Sequence, residues 1–280
     1  MTIAIGGAID VSHKGYQENA GPGAGQGGSL GRSGGGAGYG GNGGASGEGR
    51  VGGAGYGSPT SPIDIGSGGG TGYSSTKGGA GGGAVKIISV SITLDGSIIA
   101  NGETGQQTGN GSGGGGAGGS IWIETTSLTG TGVIAANGGD GRASSGRESG
   151  GGGGGRIALY YTSNSVSFSN FSAFAGLGLV NAQSGGAGTM LLENSGTNGL
   201  LLVDNNSRTN GTFTPLKETF TVDTISVIQN AILSVTNTHT LTVLDADPLE
   251  GDVTATIQTD LGGTLSAPNL SGITCQNLNV

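Results

Sequence analysis

Short apolar runs recur along this chain, each alternating with polar or small residues and bounded by turn residues or a glycine tract. Their Ile, Val, Leu and Thr content fits a pleated, half-buried surface. No stretch carries the 3.6-residue apolar period of an amphipathic helix. The pattern predicts an all-β chain.

The runs are organised by a repeat. Gly83-Ala84-Val85, Gly119-Ser120-Ile121 and Gly155-Arg156-Ile157 each close a glycine tract and open a strand, and the apolar residues are 36 positions apart. A fourth copy, Gly188-Thr189-Met190, follows after 33. A second strand follows in each unit: Ile92 to Gly102 matches Leu128 to Gly138, and Val166 to Gly176 keeps the alternation with aromatics. Ile3 to Val11 reads as this second strand alone. Units of this length bury an apolar face only by stacking on their neighbours. The expected fold is therefore a parallel β-helix or solenoid with glycine-rich, polyglycine II-type insertions and a C-terminal β region. Residues 1–211 form the glycine-rich solenoid, with residues 15–83 as its largest insertion. Residues 212–280 continue it through Thr224–Ile228, Ala231–Val235 and Thr240–Leu244. A β-sandwich is the alternative for this last part.

Composition sharpens the picture. Glycine makes up 68 of 280 residues, against about 7% on average. Collagen requires glycine at every third position, and Gly21-Pro22-Gly23-Ala24-Gly25 and the run from Gly150 to Gly155 break that rule. Residues 15–83 hold 31 glycines. Ordering glycine costs more backbone entropy than ordering other residues and brings no side chain to bury. Only backbone hydrogen bonds and close strand approach remain to order this segment. Tyr16, Tyr39, Tyr56 and Tyr73 recur along it and are candidates to cap such a layer.

Tyr56-Gly57-Ser58-Pro59-Thr60 leading to the run from Gly66, together with Gly151 to Tyr161, resembles repeats of large secreted surface proteins. That resemblance spans roughly residues 1–200 and implies an adhesin-like role. The glycine tracts are similar in composition to the polyglycine II sandwiches of some phage tail-tip adhesins and of a glycine-rich antifreeze protein.

The net charge of −8 and the scarcity of Lys and Arg argue against nucleic acid as a partner. No apolar run approaches the roughly 20 residues of a membrane span, and Met1 to Ile5 enters a strand with no signal-peptide pattern. A secreted parent would be processed, truncated or exported by another route. The single cysteine, Cys275, forms no internal disulfide. His13 and His239 lie in unrelated regions with no nucleophile signature, so the reading is non-enzymatic. No cofactor is expected. Asp245, Asp247, Glu250 and Asp252 form the one local acidic group suited to calcium; an exposed acidic turn explains them too. Arg142, Arg147, Glu148 and Arg156 sit around one glycine loop and, with Tyr39 and Tyr56, are the candidate glycan contacts. Asn-x-Ser/Thr acceptors stand at Asn110, Asn170, Asn205, Asn210 and Asn269.

The ends carry the functional expectation. Ile3, Ile5, Ile9 and Val11 at one end, and Ile273, Leu278 and Val280 at the other, read as uncapped strands. Unpaired edges are templates for another chain, and head-to-tail stacking is heterologous and open-ended. The chain therefore reads as the subunit of an extracellular or cell-surface fibre or adhesive appendage. Its partners would be copies of itself and surface glycans. A phage tail-tip-like receptor-binding adhesin and a carbohydrate-active β-helix enzyme are the alternatives.

Overall fold

A computed structural model of the protein describes residues 1–28, 32–236, 238–245, 249–252, 254–260, 262–267 and 277–279. The fold is all-β; its helical elements among these residues are single 3-10 turns at Tyr73–Ser75 and Phe168–Asn170.

Repeat and register coincide. After β1 (Thr2–Ile3) and β2 (Ala8–Asp10), the first full unit runs from β3 (Ala84–Leu94) to β4 (Ser97–Ile99). A glycine strand leaves, turns at the hairpin β5 (Gln107–Thr108) and β6 (Gly111–Ser112), and returns as a second glycine strand. The next unit repeats this with β7 (Ser120–Thr129), β8 (Val133–Ala135) and the hairpin β9 (Ala143–Ser144) and β10 (Arg147–Glu148). The third has β11 (Arg156–Asn164) and β12 (Phe171–Ser172), and β13 (Thr189–Asn194) opens the fourth. Val85 pairs in parallel with Ile121, Ile121 with Ile157, and Ile157 with Met190. The second strands stack likewise, Ile9 on Ile98, Ile98 on Ile134 and Ile134 on Phe171. The inward residues of both ladders form one core, including Ile87, Ile92, Ile98, Ile123, Leu128, Ile134 and Leu159. Burying each such side chain contributes about 1.5–3 kcal/mol.

The glycine tracts hydrogen-bond in a different pattern. Gly34 and Ala37 donate to Ser112 and Gly115, Gly35 and Gly38 to Gln26 and Gly23, and Gly36 to Gly44. Successive N–H groups thus address three neighbouring strands in rotation, each neighbour recurring every third residue. The tract after β6 does the same: Gly113, Gly116 and Gly119 donate to Gln106, Glu103 and Ala100. Gly114 and Ala117 donate to Gly70 and Ser67, and Gly115 and Gly118 to Gly150 and Gly153. A Cβ built on Gly152 would fall on the Gly116 carbonyl oxygen, and one on Gly116 would fall on that of Ala80. Glycine is required here because the backbones approach too closely for any side chain. The described residues of 15–83 are part of this packed array; Tyr39 and Tyr56 lie inside it with ring centroids 4.9 Å apart, while Tyr16 and Tyr73 lie at its surface.

The chain reverses once within the main sheet. β13 pairs antiparallel with β14 (Leu200–Asp204), through a turn containing Gly196 and Gly199 at φ +87° and +75°. The two faces of these strands then serve two cores. Met190 and Leu192 belong to the first, and Leu191, Leu201 and Val203 to a second that extends to Leu265. The hand-over falls at about residues 187–203, ahead of residue 211.

Beyond it come β15 (Thr214–Leu216), β16 (Phe220–Val222), β17 (Thr224–Ile228), β18 (Ile232–Thr236) and β19 (Thr240–Val243). They are followed by β20 (Leu249–Gly251), β21 (Thr256–Asp260), β22 (Thr264–Ser266) and β23 (Asn277–Asn279). These form three parallel ladders, β14-β17-β20, β15-β18-β21-β23 and β16-β19-β22. Ile225 pairs with Leu249, Leu233 with Ile257 and Leu241 with Leu265, each a step of 24 residues. An eight-residue spacing that the whole-unit repeat obscured underlies this: Ile225/Val227, Leu233/Val235 and Leu241/Val243 are equivalent pairs, all fully buried. Corners fall at left-handed residues, Asn230 at φ 64°, Thr238 at 62° and Gly262 at 82°.

Candidate functional site

The parallel ladder leaves one long strand half-paired. β3 is bonded to β7 from Ala84 to Thr93, but on its other side β1 covers only Thr93 and Leu94. The Met1 amino group donates to the Ser91 carbonyl oxygen at 2.7 Å, and Thr93 N donates to Met1 O at 2.9 Å. Outward-facing backbone groups alternate along a parallel strand. Ser120 N donates to Gly83 O, so Val85, Ile87 and Ser89 face β7, and Lys86 and Ile88 present their N–H and C=O groups outward, with no described backbone partner. Beside this edge Ile88 is 69% and Val90 79% exposed. At the far end of the ladders, β20, β22 and β23 are the last described strands.

A buried polar cluster holds the glycine array against the same sheet. Arg156 is fully buried at the start of β11. Its Nε and Nη2 donate to the Tyr56 carbonyl oxygen at 3.1 and 2.9 Å, and its Nη1 donates to Thr189 Oγ1 at 3.0 Å. The guanidinium also lies 5.6 Å from the Tyr39 ring centre. Burial, opposed by the neighbouring Tyr39 and Glu218, pushes the Arg156 pKa below its ordinary value. The Tyr39 hydroxyl lies 2.5 Å from Ser120 Oγ, which donates to the Asp64 carbonyl oxygen at 2.5 Å. Burial raises the Tyr39 phenol to about 12. Tyr160 donates to Thr60 O at 2.6 Å, and Ser58 and Thr60 both donate to the Glu218 carboxylate, at 2.5 and 2.8 Å.

The residues expected from the sequence are distributed unevenly. Arg142, Arg147 and Glu148 lie at and beside the β9–β10 hairpin. The Arg142 Nε donates to Gly105 O at 3.3 Å, Arg147 Nη1 donates to Asn110 O at 3.0 Å, and Glu148 is buried. Both arginines thus bind the preceding hairpin unit's backbone. Arg156 and Tyr39 are corrections, since both are fully buried and neither can reach a glycan. The half-buried Tyr56 donates its hydroxyl proton to Ile65 O at 2.6 Å. Asn205 is a correction as well: it is fully buried, and its Oδ1 accepts from Ala175 N at 3.3 Å, so no transferase reaches it in the folded chain. Asn110 and Asn210 are exposed, and Asn170 is half-buried.

Among the assembly residues, Ile3 faces the core and pairs with Leu94, and Ile9 and Val11 pack against that core. Of these four N-terminal residues only Ile5 projects outward. Leu278 is paired with Ile257, whereas Ile273, Val280, Asp247 and Asn269 lie outside the described residues. Asp245 is exposed. The Asp252 carboxylate accepts from Gln229 N, Thr254 N and Thr254 Oγ1, and Glu250 is in register with Ser226. Among the described residues no group of three or more His, Cys, Asp or Glu side chains is placed to hold a metal ion. Among them, too, no helix is long and apolar enough to cross a membrane.

Sequence reasoning located the repeat but missed the open side of β3, because the N-terminal strand covers only part of it. No protein-family model matches the chain, and neither a curated protein nor a solved structure is detectably similar to it.

Proposed function

We propose that this chain is a parallel β-helix bearing a polyglycine II bundle, and that it is the structural subunit of an extracellular fibre or adhesive appendage. The β-helix reading is supported by the in-register parallel ladders, at 36-residue steps in the first part and 24-residue steps in the second. The polyglycine II reading is supported by the three-residue rotation of hydrogen-bond partners, the symmetry of a three-per-turn extended helix. Adhesive and cell-surface placement belongs to the same proposal.

One observation carries the assembly: the outer edge of β3 from Ala84 to Val90, flanked by exposed Ile88 and Val90. Such an edge adds a strand from a second chain. Joining the far end of one copy to the β3 edge of the next is heterologous and propagates. Sedimentation velocity and electron microscopy test this across a concentration series. Wild-type protein forms fibres with a regular axial repeat, while Ile88→Pro, which removes an outward N–H, and Val90→Lys remain monomeric with unchanged circular dichroism. A wild-type chain that stays monomeric at millimolar concentration would refute the reading.

A further inference from the structure

The solvent face of the main sheet carries a groove of about 440 Å³ between β7, β11 and β13. This lies within the range of small-ligand sites. Its floor is aromatic: Trp122 and Tyr160 have ring centroids 6.5 Å apart, tilted by 54°. Both rings are held in place. Tyr160 is fixed by its bond to Thr60 O, and Trp122 by Lys86.

Carboxylates flank the platform. Glu124, Tyr160 and Glu193 are register neighbours on three adjacent strands. With strands about 4.8 Å apart, the two carboxylate-bearing backbones stand roughly 10 Å apart, with the Tyr160 ring between them. At one side the chain supplies its own cation. Lys86 Nζ lies 3.3 Å from the Trp122 ring centre and 2.9 Å from Glu124 Oε1, a cation–π contact and an ion pair together. The other side repeats the ring and the acid without the amine. Among the described residues no cation or hydrogen-bond donor meets Glu193. Partial burial, with the charge of Asp223 behind it, raises the Glu193 pKa, as expected of an acid lacking a counter-charge. Hydroxyls of Thr125, Thr162 and Ser195 complete the lining.

We propose that this groove binds an amine-bearing polysaccharide of glucosamine type, its ammonium seated at Glu193 beside the Tyr160 ring. Lys86 on Trp122 and Glu124 is the intramolecular precedent for that contact. The aromatic floor takes the apolar face of a sugar ring, and the hydroxyl lining suits a polyhydroxylated ligand better than a lysine side chain. The site lies on the sheet face and needs no assembly, so its test uses the Val90→Lys chain and stands or falls separately from the fibre.

Trp122 is the only tryptophan in the chain, so its fluorescence reports on this groove alone. Glucosamine oligomers, at a pH that protonates their amines, should give a saturable change in emission. N-acetylated oligomers of equal length should bind about tenfold or more weakly, as should Glu193→Gln with the charged oligomer; one charge-assisted contact is worth that factor. Tyr160→Ala, which removes the ring, should lose binding. Three results would overturn the assignment: no response to the charged oligomer, equal binding of the N-acetylated form, or tighter binding of a lysine-rich peptide. A Glu193→Gln variant with unchanged affinity and a native spectrum would overturn it as well.

Discussion

The Arg156 guanidinium donates twice to the main-chain oxygen of Tyr56, a residue 100 positions earlier in the chain. This contact fastens the glycine array to the sheet without a carboxylate, since among the described residues no acid lies within ion-pair distance of Arg156. Arg156→Ala leaves the Tyr56 oxygen and Thr189 Oγ1 without this donor and opens a cavity. An unsatisfied buried polar group costs about 1–3 kcal/mol. The variant should lose about 3 kcal/mol or more in a urea titration, and limited proteolysis should then cut within residues 15–83 first. Arg156→Lys should restore only part of the loss, because an ammonium cannot span both acceptors as the guanidinium fork does.

Gly152→Ala tests the close approach of the glycine strands. The new methyl group meets the Gly116 carbonyl oxygen, which is backbone and cannot rotate away. Overpacking of this kind costs about 1–3 kcal/mol. Hydrogen exchange should report faster amide exchange at Gly113 to Gly119 and Gly150 to Gly155, while the β7 and β11 amides stay protected.

Alkaline titration should find late-ionising phenols. Tyr39 and Tyr160 are each raised to about 12, in both cases first by burial. A phenol whose folded pKa lies above its unfolded value of about 10 stabilises the fold below that value. The contribution is lost as pH rises from about 10 through the folded pKa. Phenolate absorbance should therefore show a late phase near pH 12, coincident with unfolding by circular dichroism. Tyr39→Phe should shift that unfolding to higher pH.

Asp223 should matter at neutral pH and not in acid. The side-chain amide of Asn198, at 3.0 Å, is the largest influence, and the N–H groups of Asn198 and Gly199 add to it. Together they hold the carboxyl below its usual value against slight desolvation. A depressed folded pKa gives stability that is present above the unfolded value of about 3.9 and lost as pH falls through the folded pKa. Asp223→Asn should lower the urea midpoint at pH 7, and the gap should close at about pH 2.

The order of the strands was legible in the sequence because apolar residues state their own register. Val85, Ile121, Ile157 and Met190 recur at near-constant spacing, and each has one inward place in a stacked ladder. The eight-residue beat of Ile225, Leu233 and Leu241 carries the same information for the three ladders of the second part. The glycine tracts state nothing of the kind. A residue without a side chain pairs equally well with any neighbour, so the rotation of Gly34, Gly35 and Gly36 among three distant strands was decided only by the tertiary structure. Arg156 had the composition of a surface cation and became a buried clasp because the array closes over it. The groove was split in the sequence between Trp122, Tyr160 and Glu193, and only parallel pairing at adjacent strand spacing makes those residues neighbours.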